Sequence, residues 1–250
     1  KKLLLAAAVM TAALSSGAFA QWSNISVNAG ANGFTNWTES NTGTAGRLLG
    51  GSAPAGMNTS GAAGSNVSWG LWSLANDTSA SIYTFSSTLP VGGYVEIDIS
   101  LGNINTGGTV GFGLQNSDGV NRFETYYIGS DPSNTFKLND AGGQENITGV
   151  DTSFGSSSYG SGKFQTIRFT QGASNTYTLS FGGQNVSNSG LNITASDINR
   201  IRIFNFSPGG GQNADQFFNN LDAVPEPSTY ALLGLAAAGL GAHIIRRRRR

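Results

Sequence analysis

Tyr94-Val95-Glu96-Ile97-Asp98-Ile99-Ser100-Leu101 alternates apolar and polar side chains with a period of two, which one kind of backbone satisfies. Val95, Ile97, Ile99 and Leu101 share one face, as on a β-strand half buried in an antiparallel sheet. Comparable short runs follow one another along the chain at residues 68–74, 81–85, 110–114, 123–128, 135–138, 163–170, 176–181, 200–206 and 216–221. Turn residues separate them. Asn105-Thr106-Gly107-Gly108 precedes one run, and Gly172-Ala173-Ser174-Asn175 reads as a hairpin turn setting Ile167 and Phe169 against Tyr177, Leu179 and Phe181. No helical period is sustained and no internal repeat is visible. Strands without helices bury their apolar faces only against one another, which predicts an all-β fold, an antiparallel β-sandwich of jelly-roll kind.

The surface fits that reading. The chain holds 36 glycines in 250 residues and only 11% charged residues, against usual values of ~7% and ~25%. Asn, Ser and Thr abound, as suits a turn-rich exterior. Residues 21–64 are the least defined: Trp22, Ile25, Val27, Phe34 and Trp37 suggest one or two strands. Residues 45–64, with Leu48, Leu49 and Met57 as their sizeable apolar side chains, read as a long loop.

Both ends carry processing signals. Lys1-Lys2, an apolar run over 3–14 and Ala18-Phe19-Ala20 form a signal peptide, to be cut by signal peptidase so that the mature chain begins at Gln21. At the other end Val224-Pro225-Glu226-Pro227-Ser228 precedes an apolar run over 229–245 and Arg246–Arg250. As a helix the run from Tyr230 spans about 24 Å at ~1.5 Å per residue, somewhat under the ~30 Å hydrocarbon core, a gap that snorkelling arginines cover. The arginines stay cytoplasmic and the bulk of the chain lies outside. Pro225 and Pro227 hold Glu226 on an extended backbone. The division expected is therefore 1–20 signal peptide, 21–223 sandwich domain and 224–250 sorting tail.

This tail resembles the PEP-CTERM sorting signal of Gram-negative bacteria. Val224, Pro225, Glu226 and Pro227 supply the motif, a Gly/Ala/Leu-rich transmembrane span follows, and Arg246, Arg247, Arg248, Arg249 and Arg250 close it. The resemblance implies recognition by an exosortase, an integral-membrane cysteine-dependent peptidase, with an inner-membrane intermediate and loss of the tail near the motif. The destination it implies is the cell surface or an exopolysaccharide matrix. Residues 69–221 also look like the concanavalin-like sandwich domains that many such proteins carry, in Val110-Gly111-Phe112-Gly113-Leu114-Gln115-Asn116, Asn175-Thr176-Tyr177-Thr178-Leu179, Arg202-Ile203-Phe204-Asn205-Phe206 and Phe217-Phe218-Asn219-Asn220-Leu221. That likeness implies a fold, not an activity.

Charge and residue inventory narrow the chemistry. The chain has 14 Lys and Arg and 14 Asp and Glu; seven of the cations are Lys1, Lys2 and Arg246–Arg250, so a domain freed of both ends keeps seven against thirteen or fourteen acids. Such an acidic domain argues against nucleic acid as a partner. No cysteine is present and the one histidine, His243, lies in the tail, so thiolate, His-activated and His-ligated chemistry are closed to the domain. Glu96 and Asp98 match part of the Glu-x-Asp-x-x-Glu strand of laminarinase-type glucanases, but Leu101 stands where the second Glu is needed. The two are expected on the solvent face of their strand, and the chain is expected not to be an enzyme. The rival readings are a glycan-degrading enzyme with another carboxylate pair and a structural coat protein without sugar affinity. For sugar binding, Trp37, Trp69, Trp72, Tyr126, Tyr127 and Tyr159 are the stacking candidates, with exopolysaccharide as the partner. No cofactor is expected. Asp118, Asp131, Asp140 and Asp151 offer Ca2+ the oxygen ligands it takes, without the spacing of a defined loop.

Overall fold

In the computed structural model, which describes residues 24–50, 57, 59–60, 66–101, 104–133, 135–152, 164–206 and 216–224, the alternating stretch forms one unbroken strand. In chain order the first strands are β1 (Ile25–Val27), β2 (Trp37–Glu39), β3 (Ala45–Gly50), β4 (Thr59–Ser60), β5 (Asn66–Ser73), β6 (Thr78–Thr84) and β7 (Tyr94–Leu101). Next come β8 (Thr109–Gln115), β9 (Asn121–Ile128), β10 (Lys137–Asp140), β11 (Gly143–Asn146) and β12 (Gln165–Gln171). The last are β13 (Tyr177–Phe181), β14 (Gln184–Asn185), β15 (Arg200–Phe206) and β16 (Gln216–Val224). One short helical turn, α1 (Ala29–Asn32), is capped by Asn28, whose side chain accepts the Ala31 amide.

The strands make two antiparallel sheets. One runs β14-β13-β12-β7-β16-β5-β3, with β1 on β16 and β4 on β5; the other runs β11-β10-β9-β8-β15-β6-β2. The fold is thus an all-β antiparallel sandwich, and the inward faces are those the alternation predicts. Val95, Ile97, Ile99 and Leu101 are buried, as are Val110, Phe112, Leu114, Ile201 and Ile203 from the facing sheet. Aromatic rings bridge the two sheets. Phe123 of β9 lies 5.1 Å from both Phe169 of β12 and Tyr177 of β13, and Phe136 lies 5.5 Å from Phe181. The hairpin sets Ile167 opposite Phe181 and Phe169 opposite Leu179, in the expected register.

The structure corrects the reading of residues 45–64 as a loop. Ala45–Gly50 is strand β3, paired along its length with β5, and Thr59–Ser60 is the short strand β4. Glycine makes this pairing practicable where apolar pattern is weak. The Trp72 indole lies over Gly46, where a Cβ would stand 3.0 Å from it, and Leu48 crowds the equivalent space at Gly70. The bulk on this face comes from Trp72, Leu48 and Phe217, so β3 itself shows little periodicity.

β16 breaks its register with β7 between Asn219 and Asp222, around Asn220 at a φ of 51°. On its other side Gln216–Phe218 pairs with β5, while Leu221–Ala223 pairs with β1. Asn219, wholly buried, sits at that change of partner. Its Oδ1 accepts the Ala29 amide at 2.8 Å and its Nδ2 donates to the Met57 carbonyl at 2.7 Å.

Candidate functional site

On β15 the usual sorting of side chains holds at Arg200–Ile203 and is inverted over Phe204–Phe206. Ile201, Ile203 and Asn205 face the core, and Arg200, Arg202, Phe204 and Phe206 face out from the seven-stranded sheet. Asn205 is tolerated inside because its Nδ2 donates to the Leu71 carbonyl of β5, in the opposite sheet, at 2.8 Å. Phe204 is covered by its neighbours on the outer face, whereas Phe206 is left exposed.

Their neighbour is the central strand β8, which contributes glycine where side chains would otherwise stand. Gly111 is flanked by Tyr126 of β9 and Phe204 of β15, and Gly113 by Glu124 and Arg202. Tyr126 and Phe204 close over Gly111 with ring centroids 6.4 Å apart. A Cβ on Gly111 would stand 2.1 Å from the Thr125 carbonyl and 2.6 Å from the Tyr126 Cα, so the glycine is a packing requirement. The result is a depression of ≈ 300 Å³ on the outer face of the sheet, lined by Thr78, Thr109, Glu124, Tyr126, Arg202, Phe204 and Phe206. Phe206 is 42% exposed, whereas Phe204 lies almost covered between Tyr126 and Arg202.

The polar groups here are held in place. The Glu124 carboxylate accepts from Asn121 Nδ2 at 2.7 Å and Asn139 Nδ2 at 3.3 Å. Tyr126 donates its hydroxyl to Gln144 Oε1 at 3.0 Å; burial, and then the charge of Glu124, push its pKa up. The Arg202 guanidinium lies 5.0 Å from the Phe204 ring centre, and burial pushes its pKa down against the opposing pull of Glu124. An apolar wall beside fixed donors and acceptors is what a weakly polar, hydroxyl-rich ligand requires.

Of the stacking candidates named from the sequence, only Tyr126 belongs to this face. Trp37 and Trp69 are core residues, 5.0 Å apart with Trp37 against Tyr83, and Trp69 Nε1 donates to the Gly33 carbonyl. Tyr127 is buried against Phe136, and Trp72 is half-buried on the outer face of the other sheet, over Gly46. Tyr159 lies outside the described residues. In the sequence Arg202, Phe204 and Phe206 stand out only as part of the sandwich pattern and Glu124 only within the run 123–128, although residues 200–206 carry a site signal, with aromatic and cationic positions alternating against isoleucines.

Glu96 and Asp98 lie on the nine-stranded sheet, away from the depression. Both point outward as expected, but neither is a free solvent group. Glu96 pairs with Arg168 at 2.7 Å, and Asp98, only 6% exposed, accepts from Thr166 Oγ1 at 2.6 Å and Asn220 Nδ2 at 2.7 Å. Burial raises the pKa of Asp98, against those two hydrogen bonds. Leu101, at the position where a second Glu would stand, is in the core. The aspartates weighed for Ca2+ are dispersed. Asp131 pairs with Lys137, Asp140 accepts from Tyr177 and Gly142, and among the described residues no cluster of three or more metal-ligating acids forms.

Of the processing residues, Val224 is described and ends β16 opposite Tyr94, so the sheet runs directly into the motif. Ala18, Ala20, Gln21, Pro225, Glu226, Pro227 and Arg246–Arg250 lie outside the described residues, as does the apolar run 229–245. Among the described residues no helix is long and apolar enough to cross a membrane.

Residues 223–250 match the PEP-CTERM protein-sorting motif. No curated protein matches the chain. Among solved structures, the apo Crh5 transglycosylase aligns over 82% of this chain and 85% of its own, at 13% identity and a TM-score of 0.53. The same transglycosylase in complex with NAG aligns over 82% and 84%, at 11% identity and a TM-score of 0.52. The cellulose induced protein Cip1 aligns over 76% and 92%, at 12% identity and a TM-score of 0.47. The transglycosylase likeness is one of fold: the same two-sheet sandwich, on a chain that ends in a PEP-CTERM sorting motif.

Proposed function

We propose that this is an exported bacterial surface or matrix protein whose sandwich binds exopolysaccharide in the depression on the seven-stranded sheet. Its signal peptide is removed on export from the cytoplasm of a Gram-negative cell. Its tail holds the precursor in the inner membrane until an exosortase cuts near Glu226 and the domain passes to the surface or matrix. The observation that carries the binding role is the outward placement of Tyr126 and Phe206 beside Glu124 and Arg202 over a glycine floor. Aromatic faces stack on sugar rings while fixed polar groups take their hydroxyls.

The role is binding and not hydrolysis. Among the described residues Glu124 is the one carboxylate lining the depression, whereas glycoside hydrolysis uses two, roughly 5–10 Å apart. The full chain, assayed against a panel of bacterial and plant polysaccharides, is expected to bind at least one without releasing reducing ends. The double variant Tyr126→Ala/Phe206→Ala is expected to abolish binding. Release of reducing ends would make it an enzyme, and silence across the panel would make it a coat protein without sugar affinity.

A further inference from the structure

Cations are few in this domain and nearly all are spoken for. Six of the described residues are Lys or Arg, and four of them hold a carboxylate: Arg47 with Glu39, Arg122 with Asp197, Lys137 with Asp131 and Arg168 with Glu96. The remaining two, Arg200 and Arg202, have no ion pair among the described residues, and they stand two apart on the outward face of one strand, β15. In a domain where acids outnumber bases about two to one, chance pairing would favour a partner for each.

Neither side chain is simply waving in water. Both are half-buried. Arg202 lies against Phe204 inside the depression; Arg200 stands one strand step beyond it, and among the described residues its enclosed Nε has no hydrogen-bond partner, nor has Oε1 of Gln115, its neighbour across the strand pair. Glu124, whose charge acts on Arg202, is engaged by Asn121 and Asn139 and makes no ion pair with it. A desolvated guanidinium without an anion is unfavourable, and a bound carboxylate relieves that cost through paired N–H···O bonds.

Resting on the proposed saccharide role of this face, we infer that its ligand is an acidic polysaccharide, with a uronate carboxylate seated on Arg202 and Arg200 adding positive charge just beyond the depression, while the sugar ring lies along Tyr126 and Phe206. The two arginines would make a local cationic spot on an otherwise acidic domain, so charge selects the ligand at contact range more than it steers it from afar. A neutral glucan would leave both guanidinium groups unmatched.

The test uses the full chain with polygalacturonate and alginate, each beside its carboxyl-reduced neutral form, with affinity read by calorimetry. At least one acidic polymer should bind about tenfold or more tighter than its reduced twin, and binding should weaken as NaCl rises. Arg202→Gln should lose most of that preference and Arg200→Gln part of it, whereas Arg47→Gln, in an ion pair on the other sheet, should keep it. Thermal melts would verify folding, and either arginine variant suffices if the other does not fold. Equal or tighter binding of the neutral forms, unaffected by Arg202→Gln, would overturn the acidic ligand and leave a neutral-sugar site standing. Equal losses from Arg47→Gln would show diffuse ion exchange and overturn the site. Binding that survives loss of Tyr126 and Phe206, or no binding of any polymer, would remove the saccharide role and this inference with it.

Discussion

Tyr177 donates its phenolic hydroxyl to Asp140 Oδ2 at 2.7 Å, a bond that ties β13 of one sheet to β10 of the other. Asp140 also accepts the amides of Gly142 and Asn192, so it is the knot joining a hairpin tip to the strand that crosses behind it. Burial, and then Asp140, raise the pKa of Tyr177 far above its ordinary 10.0. A raised folded value means this contribution to stability is whole below pH 10.0 and is lost as the pH climbs above it, because the unfolded tyrosine ionises first. Tyr177→Phe should cost about 1–2 kcal/mol at neutral pH and lose less stability than the parent between neutrality and alkaline pH. Urea titrations at several pH values measure both; parallel curves for the two proteins would refute the assignment.

Asp98 follows the same sign in the acid range. Its buried carboxyl is held above the ordinary 3.8, so its favourable contribution is full below pH 3.8 and fades as the pH rises through the raised value. Asp98→Asn should therefore gain on the parent as the pH goes from acid to neutral. A difference in unfolding free energy that stays flat with pH would contradict this.

Gly111 and Gly113 face the same depression but differ in what surrounds them. An added Cβ meets backbone at Gly111, whereas at Gly113 it meets chiefly the movable Glu124 side chain at 3.1 Å. Gly111→Ala should destabilise by about 1–3 kcal/mol and weaken polysaccharide binding, and Gly113→Ala should cost less stability. Denaturation midpoints in the reverse order would show the floor to be misread.

Asn219→Ala should remove roughly 2–3 kcal/mol, since two buried backbone groups, the Ala29 amide and the Met57 carbonyl, lose their partner together. Hydrogen exchange should report the loss first in α1 and β1. Uniform exchange across both sheets would mean that Asn219 does not anchor this segment.

Glu226→Gln, or deletion of Arg246–Arg250, should leave full-length precursor in the inner-membrane fraction, detected by intact mass. Normal maturation in either variant would end the exosortase reading of the tail.

The sandwich was legible because burial on one face imposes a period of two, and that period survives in the sequence of β7, β8 and β15. Inward-facing Val95, Ile97 and Ile99 could be named without coordinates. The sorting motif was legible for another reason: it is read as a linear segment, so its order along the chain is its content. β3 was not, because its glycines borrow apolar cover from Trp72 of β5 and Phe217 of β16. Nor was the candidate site, in which only Tyr126 had been named. Trp69 and Phe206 are both aromatic residues on alternating strands, and which of them meets water depends on which side of each strand the second sheet covers. Composition and spacing settled the kind of layers and the address; the packing of one layer on the other decided which face remained open, because burial is a property of pairs of strands far apart in the chain.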